Sequence, residues 1–459
     1  MTFDPKLAEI RFGTGLSPVR AAPASTAEML RRLQGPDVMA ARHPIPRFET
    51  LIPALTEFFE QSRLLRQKRG SEEAKAAQKR IRALRKAGRE NQQLSLNATL
   101  RRAAGTEDGL RERLTRFWAD HFTVKGKQGI LIFSAATYVE EAIRPHLTGS
   151  FAALLKSAVT HPMMLAYLDQ VNSAGPTSAK VKKQGGGLNE NLAREVMELH
   201  TLGVGADYSQ ADVRQLAELF TGLSYDPRKG FLFRPFFAEP GAETVLGQEY
   251  GGGQPALADV HAVLDDLARH PATARHIATK LATHFVADTP EPALIDHIAA
   301  AFHDSGGDLM ATYGALLDHP AAWDPRLNKA RQPFDFVAAT LRALDMPGKQ
   351  IEALGPKDTG LYLALPMQVM GQSWEAPVGP DGWPEAEADW ITPQGMAGRI
   401  QWAMMVPGLL RPELPDPRAF VDTALGGTAS DTLRFAASAA ETRAVGIGLV
   451  LISPEFQRR

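Results

Sequence analysis

The sequence predicts an all-α fold: a large multi-helix globular body with one small β-hairpin near residues 230–249. Three observations predict it. Apolar side chains recur with a period of 3.6 along most segments, Pro and Gly mark the joints between them, and alternating strand patterns are sparse.

Taken in chain order, residues 60–93 form a basic helical segment. Within it "RLLRQKRGSEEAKAAQKRIRALRKAGRE" (63–90) carries far more Arg and Lys than Glu. It lacks the interleaved aromatic residues that stack on bases, so a solvated or protein-facing helix is the better reading. The stretches 110–122, 210–221, 257–268, 272–286 and 332–345 each present an apolar stripe at helical spacing. Ser209 followed by Asp212 makes an S-x-x-D capping box, and Gly222 follows the last periodic residue of that helix. The strand signals "GFLFRPFF" and "ETVLGQE" flank the turn residues "AEPG" and suit a hairpin. A Trp-, Pro- and Gly-rich acidic loop spans 372–392, and its charge is opposite to that of the basic segment, so the two are expected to attract. The whole chain, 1–459, reads as a single helical unit.

Composition narrows the function. A formal net charge of −1 over 459 residues argues against a dedicated nucleic-acid binder. The absence of Cys removes disulfides, thiolate metal sites and cysteine nucleophiles together. The longest apolar run, "VGIGLVLI" at 445–452, is far short of the roughly 20 residues that span a bilayer. With no basic and apolar leader at the N-terminus, the expected location is the cytoplasm, with co-export beside a signal-bearing partner as the alternative. No phosphate-binding glycine loop or nucleophile elbow is present, and "RFGTG" at 11–15 reads as a turn.

The densest polar chemistry lies in "GGGLNENLAREVMELHTLGV" at 185–204. On a helix advancing about 100° per residue, Leu192, Val196 and Leu199 share a narrow apolar stripe. Asn189 is placed as its N-cap and Gly203 as its C-terminal cap. Glu190, Arg194 and Glu198 form an i, i+4, i+8 row worth only about 0.2–0.5 kcal/mol per exposed pair. Glu195 and Glu198, about 60° apart, could share an ion, whereas Glu198 and His200 point about 160° apart. The stretch therefore offers a carboxylate–arginine face and a separate, core-facing histidine. His121 and His284 end similar apolar stripes, and His121 with Glu195 and Glu198 is a candidate metal set. Its donors suit Zn, Mn, Fe or Mg. The competing use of the same face is an internal ion-pair network with Asn189 and Asn191 tying loop backbones. Trp374, Trp383 and Trp390 offer either a stacking surface for sugars or apolar docking onto the helical body. Tyr167 and Asp169 are placed in the same interior neighbourhood.

"FWADHF" at 117–122, "HPMMLAYLD" at 161–169, "NENLAREVMELHTLGVGADYSQADV" at 189–213, "HPATARHIATKL" at 270–281, "DGWPEAEADW" at 381–390 and "SPEFQRR" at the end occur in order. Together with "RFGTG" they make the chain resemble the domain-of-unknown-function-1800 family over nearly its whole length. The resemblance implies a bacterial, mostly helical protein without an established activity, often encoded beside a sulfatase-like protein of the domain-of-unknown-function-1501 family. It also implies that Asn189, Glu190, Asn191, Arg194, Glu195 and Glu198 form the face to examine. The chain departs from the family in carrying Ala238 before Glu239, where members commonly place a histidine, and in lacking a signal peptide. The leading reading is a non-enzymatic accessory or binding protein acting with a sulfatase-like partner. The alternative is a metal-assisted hydrolase in which Glu195, Glu198 and His121 hold an ion with a bound water as nucleophile.

Overall fold

The computed structural model describes residues 2–346 and 348–459. Helices dominate, and the strands among the described residues form two antiparallel pairs. The helices that place the site are α1 (Ile52–Gln67), α2 (Glu72–Gly105) and α3 (Gly109–His121). After them come α4, whose successive α, π and 3-10 turns are Ala135–Tyr138, Val139–Ile143 and Arg144–His146, and α5, an α turn Asn191–Glu195 continued by a π turn Val196–His200. Further on lie α6 (Gln210–Leu219), α7 (Leu257–Arg269), α8 (Pro271–Phe285), α9 (Pro333–Ala343), α10 (Pro393–Leu410) and α11 (Arg443–Ile452).

Local chemistry sets these boundaries. Ser71 Oγ accepts the Ala74 amide to start α2, and Ser209 and Asp212 close the reciprocal capping box of α6. Three His-Pro pairs begin helices in one way. The proline needs no amide partner at the first helical position, and Nδ1 of His161, His270 or His319 accepts the amide two residues on.

Buried apolar residues fall into two main clusters. The first holds Leu114 and Trp118 of α3, Phe122 directly after it, Val196 of α5 and Ile277 and Leu281 of α8. The second holds Leu96, Leu100 and Ala103 of α2, Val337 and Leu341 of α9, Trp402 of α10 and Ile447 of α11. The short connection from α2 to α3 is where the chain passes from the second core to the first. The run 445–452 is consumed as core by α11, and no described helix is long and apolar enough to cross a membrane.

Small hairpins do lie in this region, but their pairing differs from the expected one. "GFLFRPFF" and "ETVLGQE" do not pair with each other. β2 (Gly230–Phe233) pairs back with β1 (Leu223–Asp226), and β3 (Ala242–Val245) pairs forward with β4 (Gln248–Gly251). The second pair is closed by Leu246 and Gly247, both at positive φ (51° and 77°), the geometry a two-residue hairpin demands. Leu rarely accepts that conformation, so this turn depends on its tertiary setting.

The expected attraction between the basic segment and the acidic loop is also absent as ion pairing among the described residues. Lys68, Lys75, Arg80 and Lys86 pair with Glu73, Glu72, Glu57 and Glu90, while Glu385 and Glu387 of the loop pair with Lys329 and Arg458. The nearest link is Gln92 Nε2 donating to Glu375 at 3.2 Å.

Candidate functional site

Helix α5 carries its polar row at the surface. Arg194 lies 3.3 Å from both Glu190 and Glu198 and donates to Gln210 at 2.9 Å, and these side chains are partly exposed. Asn189 precedes the cap position, which Glu190 occupies without a side-chain bond. Its Oδ1 still accepts the Asn191 amide, and its Nδ2 donates to the Leu168 carbonyl. Glu195 is half-buried, and its carboxyl is pushed above the usual range by burial first and then by the negative charges of Glu198 and Asp381. Tyr167 stands in the same neighbourhood and is raised by burial, Glu195 and Asp381. Asp169 instead faces solvent, at positive φ and paired with Lys127.

The π turn leaves the carbonyls at the end of α5 without helical partners. Two imidazoles supply them. His121 Nε2 lies 3.1 Å from the His200 carbonyl, and His276 Nε2 lies 3.0 Å from that of Leu199. A carbonyl only accepts, so each ring carries its proton on Nε2. Gly203, at φ 94°, completes the ending by donating to the Met197 carbonyl, and His276 packs where a Cβ would point. His121 and His200 have ring centroids 6.0 Å apart, as do His121 and His276. Burial holds His121 well below the usual imidazole range and His200 at about 3. His284 is not in this group. It lies on the far side of Phe117, which contacts both His121 and His284.

His284 belongs to a buried charge network. Arg113 Nη2 donates to its Nε2 at 3.0 Å, which fixes the proton on Nδ1, and Nδ1 donates to Glu385 Oε1 at 2.5 Å. Burial, the largest influence, lowers His284 to about 3, so the ring is neutral. Lys329 lies 3.1 Å from Glu385 and 2.6 Å from Asp288. Asp335 of α9 takes ion pairs from Arg113 and Arg116, with Arg459 at 3.7 Å. These guanidinium groups outweigh burial and hold its carboxyl far below the usual range.

A cavity of about 150 Å³ lies between the two cores. One face of α3 forms a wall, through Glu112, Thr115, Arg116, Ala119 and Asp120, which recur at helical spacing, and Thr123 just past the helix end extends it. Ala135, Ala136, Tyr138 and Val139 of α4 form a second wall, Thr99 and Arg102 of α2 a third, and Phe334 with Met367 belongs to the second core. The acidic loop covers it with Trp374, Glu375, Pro377 and Trp383. Most wall charges are neutralised in place: Arg102 by Glu140, Arg144 by Glu112 and Asp37, and Arg116 by Asp335, while His284 is neutral.

Two carboxyl groups on this cavity have no bonded cation. Asp120 Oδ1 accepts the Trp383 amide at 2.8 Å, and burial pushes it up to about 7 against the pull of that amide and of Lys280. Glu375 sits at positive φ (56°), takes one bond from Gln92, and is pushed up to about 8 by burial although the Ala135 and Ala136 amides favour its charged form. Its buried Oε1 and the buried Nε1 of Trp374 make no hydrogen bond. Trp374 stacks on Phe334 with centroids 5.7 Å apart, whereas Trp390 is buried and donates to the Pro384 carbonyl.

The sequence therefore marked the surface row Glu190–Arg194–Glu198, the half-buried Glu195, and the histidines His121 and His200, which the fold does bring together. Among the described residues no three His, Cys, Asp or Glu side chains are grouped to hold a metal ion. Asp120, Glu375, His276 and Lys280 were not singled out. Asp120 stands one residue before His121 in "FWADHF", and His276 lies within "HPATARHIATKL", so their segments were visible even though their roles were not.

No curated protein matches the chain, and no solved structure does. A family does match it, over residues 10–458, and carries the description "Protein of unknown function (DUF1800)". The chain thus belongs to the DUF1800 family.

Proposed function

We propose that this chain is a non-enzymatic binding protein whose ligand site is the cavity between the two cores, and that it serves as an accessory to a sulfatase-like partner. The cavity carries the first half of the reading. Ligand sites favour junctions between packed bodies, with apolar walls and a few convergent polar groups. A cavity of about 150 Å³ holds a molecule of benzene size. The partner rests on the family resemblance alone.

The test is a thermal-shift screen of small molecules against the wild type and Ala119→Leu, which fills the cavity from the α3 wall. Ligands of the site raise the wild-type melting temperature and leave that of the variant unchanged. If every stabilising molecule acts equally on both, the cavity is not the site. Co-purification with the sulfatase-like neighbour, unaffected by Ala119→Leu, tests the partner separately.

A second reading is the metal-assisted hydrolase built on Glu195, Glu198 and His121. The raised carboxyl of Glu195 beside Glu198 favours it. Against it stand the ion pair of Glu198 with Arg194 and the use of His121 Nε2 at the end of α5.

A further inference from the structure

We infer that the cavity between the two cores selects a small organic ammonium compound, with an apolar body seated against the aromatic walls and its charge set between Asp120 and Glu375. The inference rests on the binding role proposed above and names the ligand class.

Charge accounting on the cavity walls carries it. Arg102, Arg144 and Arg116 each already meet a carboxylate, and His284 is neutral between Arg113 and Glu385. What remains is two carboxyl groups that no cation bonds, on opposite supports: Asp120 on α3, and Glu375 on the covering loop. Anions have no free donor cation there. An ammonium ion has two acceptors, and the rings of Trp374, Trp383 and Tyr138 line the cavity, the kind of surface that favours a cation stripped of water; Phe334 already stacks on Trp374 and carries the Arg116 guanidinium over its ring. The unpartnered Nε1–H of Trp374 suits an oxygen on the same molecule.

The groups facing each carboxyl define the pH response. Asp120 is faced by the Trp383 amide, Lys280, Glu385 and Arg116, and Glu375 by Gln92 and the Ala135 and Ala136 amides. Glu375, pushed up to about 8, holds its proton at neutral pH in the free protein. A cation beside it favours the ionised form, so binding expels that proton and tightens as pH rises.

The experiment is calorimetric titration of the full chain with benzylammonium, benzyl alcohol and benzoate between pH 6.5 and 8.5. Benzylammonium is expected to bind at least tenfold more tightly than benzyl alcohol at pH 8.5, to weaken about tenfold by pH 6.5 and to release a proton at pH 7. Glu375→Gln is expected to reduce its affinity about tenfold and to lessen the pH dependence to the part that Asp120, pushed up to about 7, still supplies, with benzyl alcohol unaffected. If Glu375→Gln fails to fold, proton release by the wild type, read in two buffers of different ionisation enthalpy, decides alone. Benzyl alcohol or benzoate binding as tightly as benzylammonium, or no proton release, overturns the cation assignment while leaving the binding role intact. Failure of all three probes, together with a screen in which nothing distinguishes wild type from Ala119→Leu, overturns the binding role as well.

Discussion

The Trp383 amide donates to Asp120 Oδ1 at 2.8 Å, joining the covering loop to α3 of the first core. The neighbouring Gly382 makes this approach feasible. It sits at φ 85°, and a Cβ there would lie 2.6 Å from Asp120 Oδ1. Gly382→Ala is therefore expected to cost about 1–3 kcal/mol through backbone strain and the displaced carboxylate, and to open the cavity. Gly187→Ala, with nothing within 4 Å of its Cβ, serves as the control and is expected to change little. Urea denaturation of both variants checks the difference.

The polar rows at the surface and in the interior differ in their expected cost. Arg194→Ala removes partly exposed ion pairs and is expected to destabilise by less than about 1 kcal/mol, an effect that shrinks further at high salt. Asp335→Ala leaves Arg113 and Arg116 without their carboxylate in the interior and is expected to cost about 3–5 kcal/mol. Equal costs in chemical denaturation would contradict the assignment of one row to solvent and the other to the core.

Glu375 makes stability depend on pH in a defined direction. In the unfolded chain its carboxyl ionises in the usual range, whereas in the folded protein it keeps its proton up to about 8. Between those values the folded state binds the extra proton, so this group lowers stability as pH rises, by at most about 1.4 kcal/mol per unit, and the loss levels off above pH 8. Glutamine imitates the protonated side chain. Glu375→Gln should lie close to the wild type near pH 5 and gain on it by about 3–4 kcal/mol by pH 8, read from denaturation midpoints across that window.

His200 and His284 act in the opposite direction. Each is held to about 3 by burial, so the unfolded chain takes up protons from pH 6.5 downward before the folded protein does. Their contribution is present above pH 6.5 and is lost progressively on acidification toward pH 3. His284→Gln is expected to flatten the acid limb of the stability profile. An unchanged limb would show that the ring is already charged in the fold.

Elemental analysis of the purified chain and of Glu195→Ala separates the two functional readings. The binding reading predicts no stoichiometric divalent metal in either protein. Near-stoichiometric metal in the wild type, absent from the variant, would instead establish the hydrolase reading.

Much of the fold was legible because helices announce themselves locally. Leu110, Leu114, Phe117, Trp118 and His121 mark one side of α3 by spacing alone, and Ser209 with Asp212 fixes the start of α6. Strand pairing was not legible, because it depended on a Leu246–Gly247 turn that only tertiary context imposes on leucine. The cavity was hidden for a different reason. Asp120 and Glu375 are 255 positions apart in the sequence, and each becomes distinctive only when burial and the absence of a bonded cation are known. Helix α5 stands out in the sequence for its dense charge, yet much of that charge is satisfied at the surface. His121 was placed correctly on the core side of its helix. What periodicity could not reveal was that α5 ends in a π turn whose carbonyls His121 and His276 complete.

The central claim is that the space between the two cores is a ligand site, and a crystal structure of the protein grown with benzylammonium tests it most directly. The account predicts a bound molecule between Asp120 and Glu375, its ring against Trp374 or Trp383. A structure in which the covering loop fills that space, or in which the molecule binds only elsewhere on the surface, would contradict it.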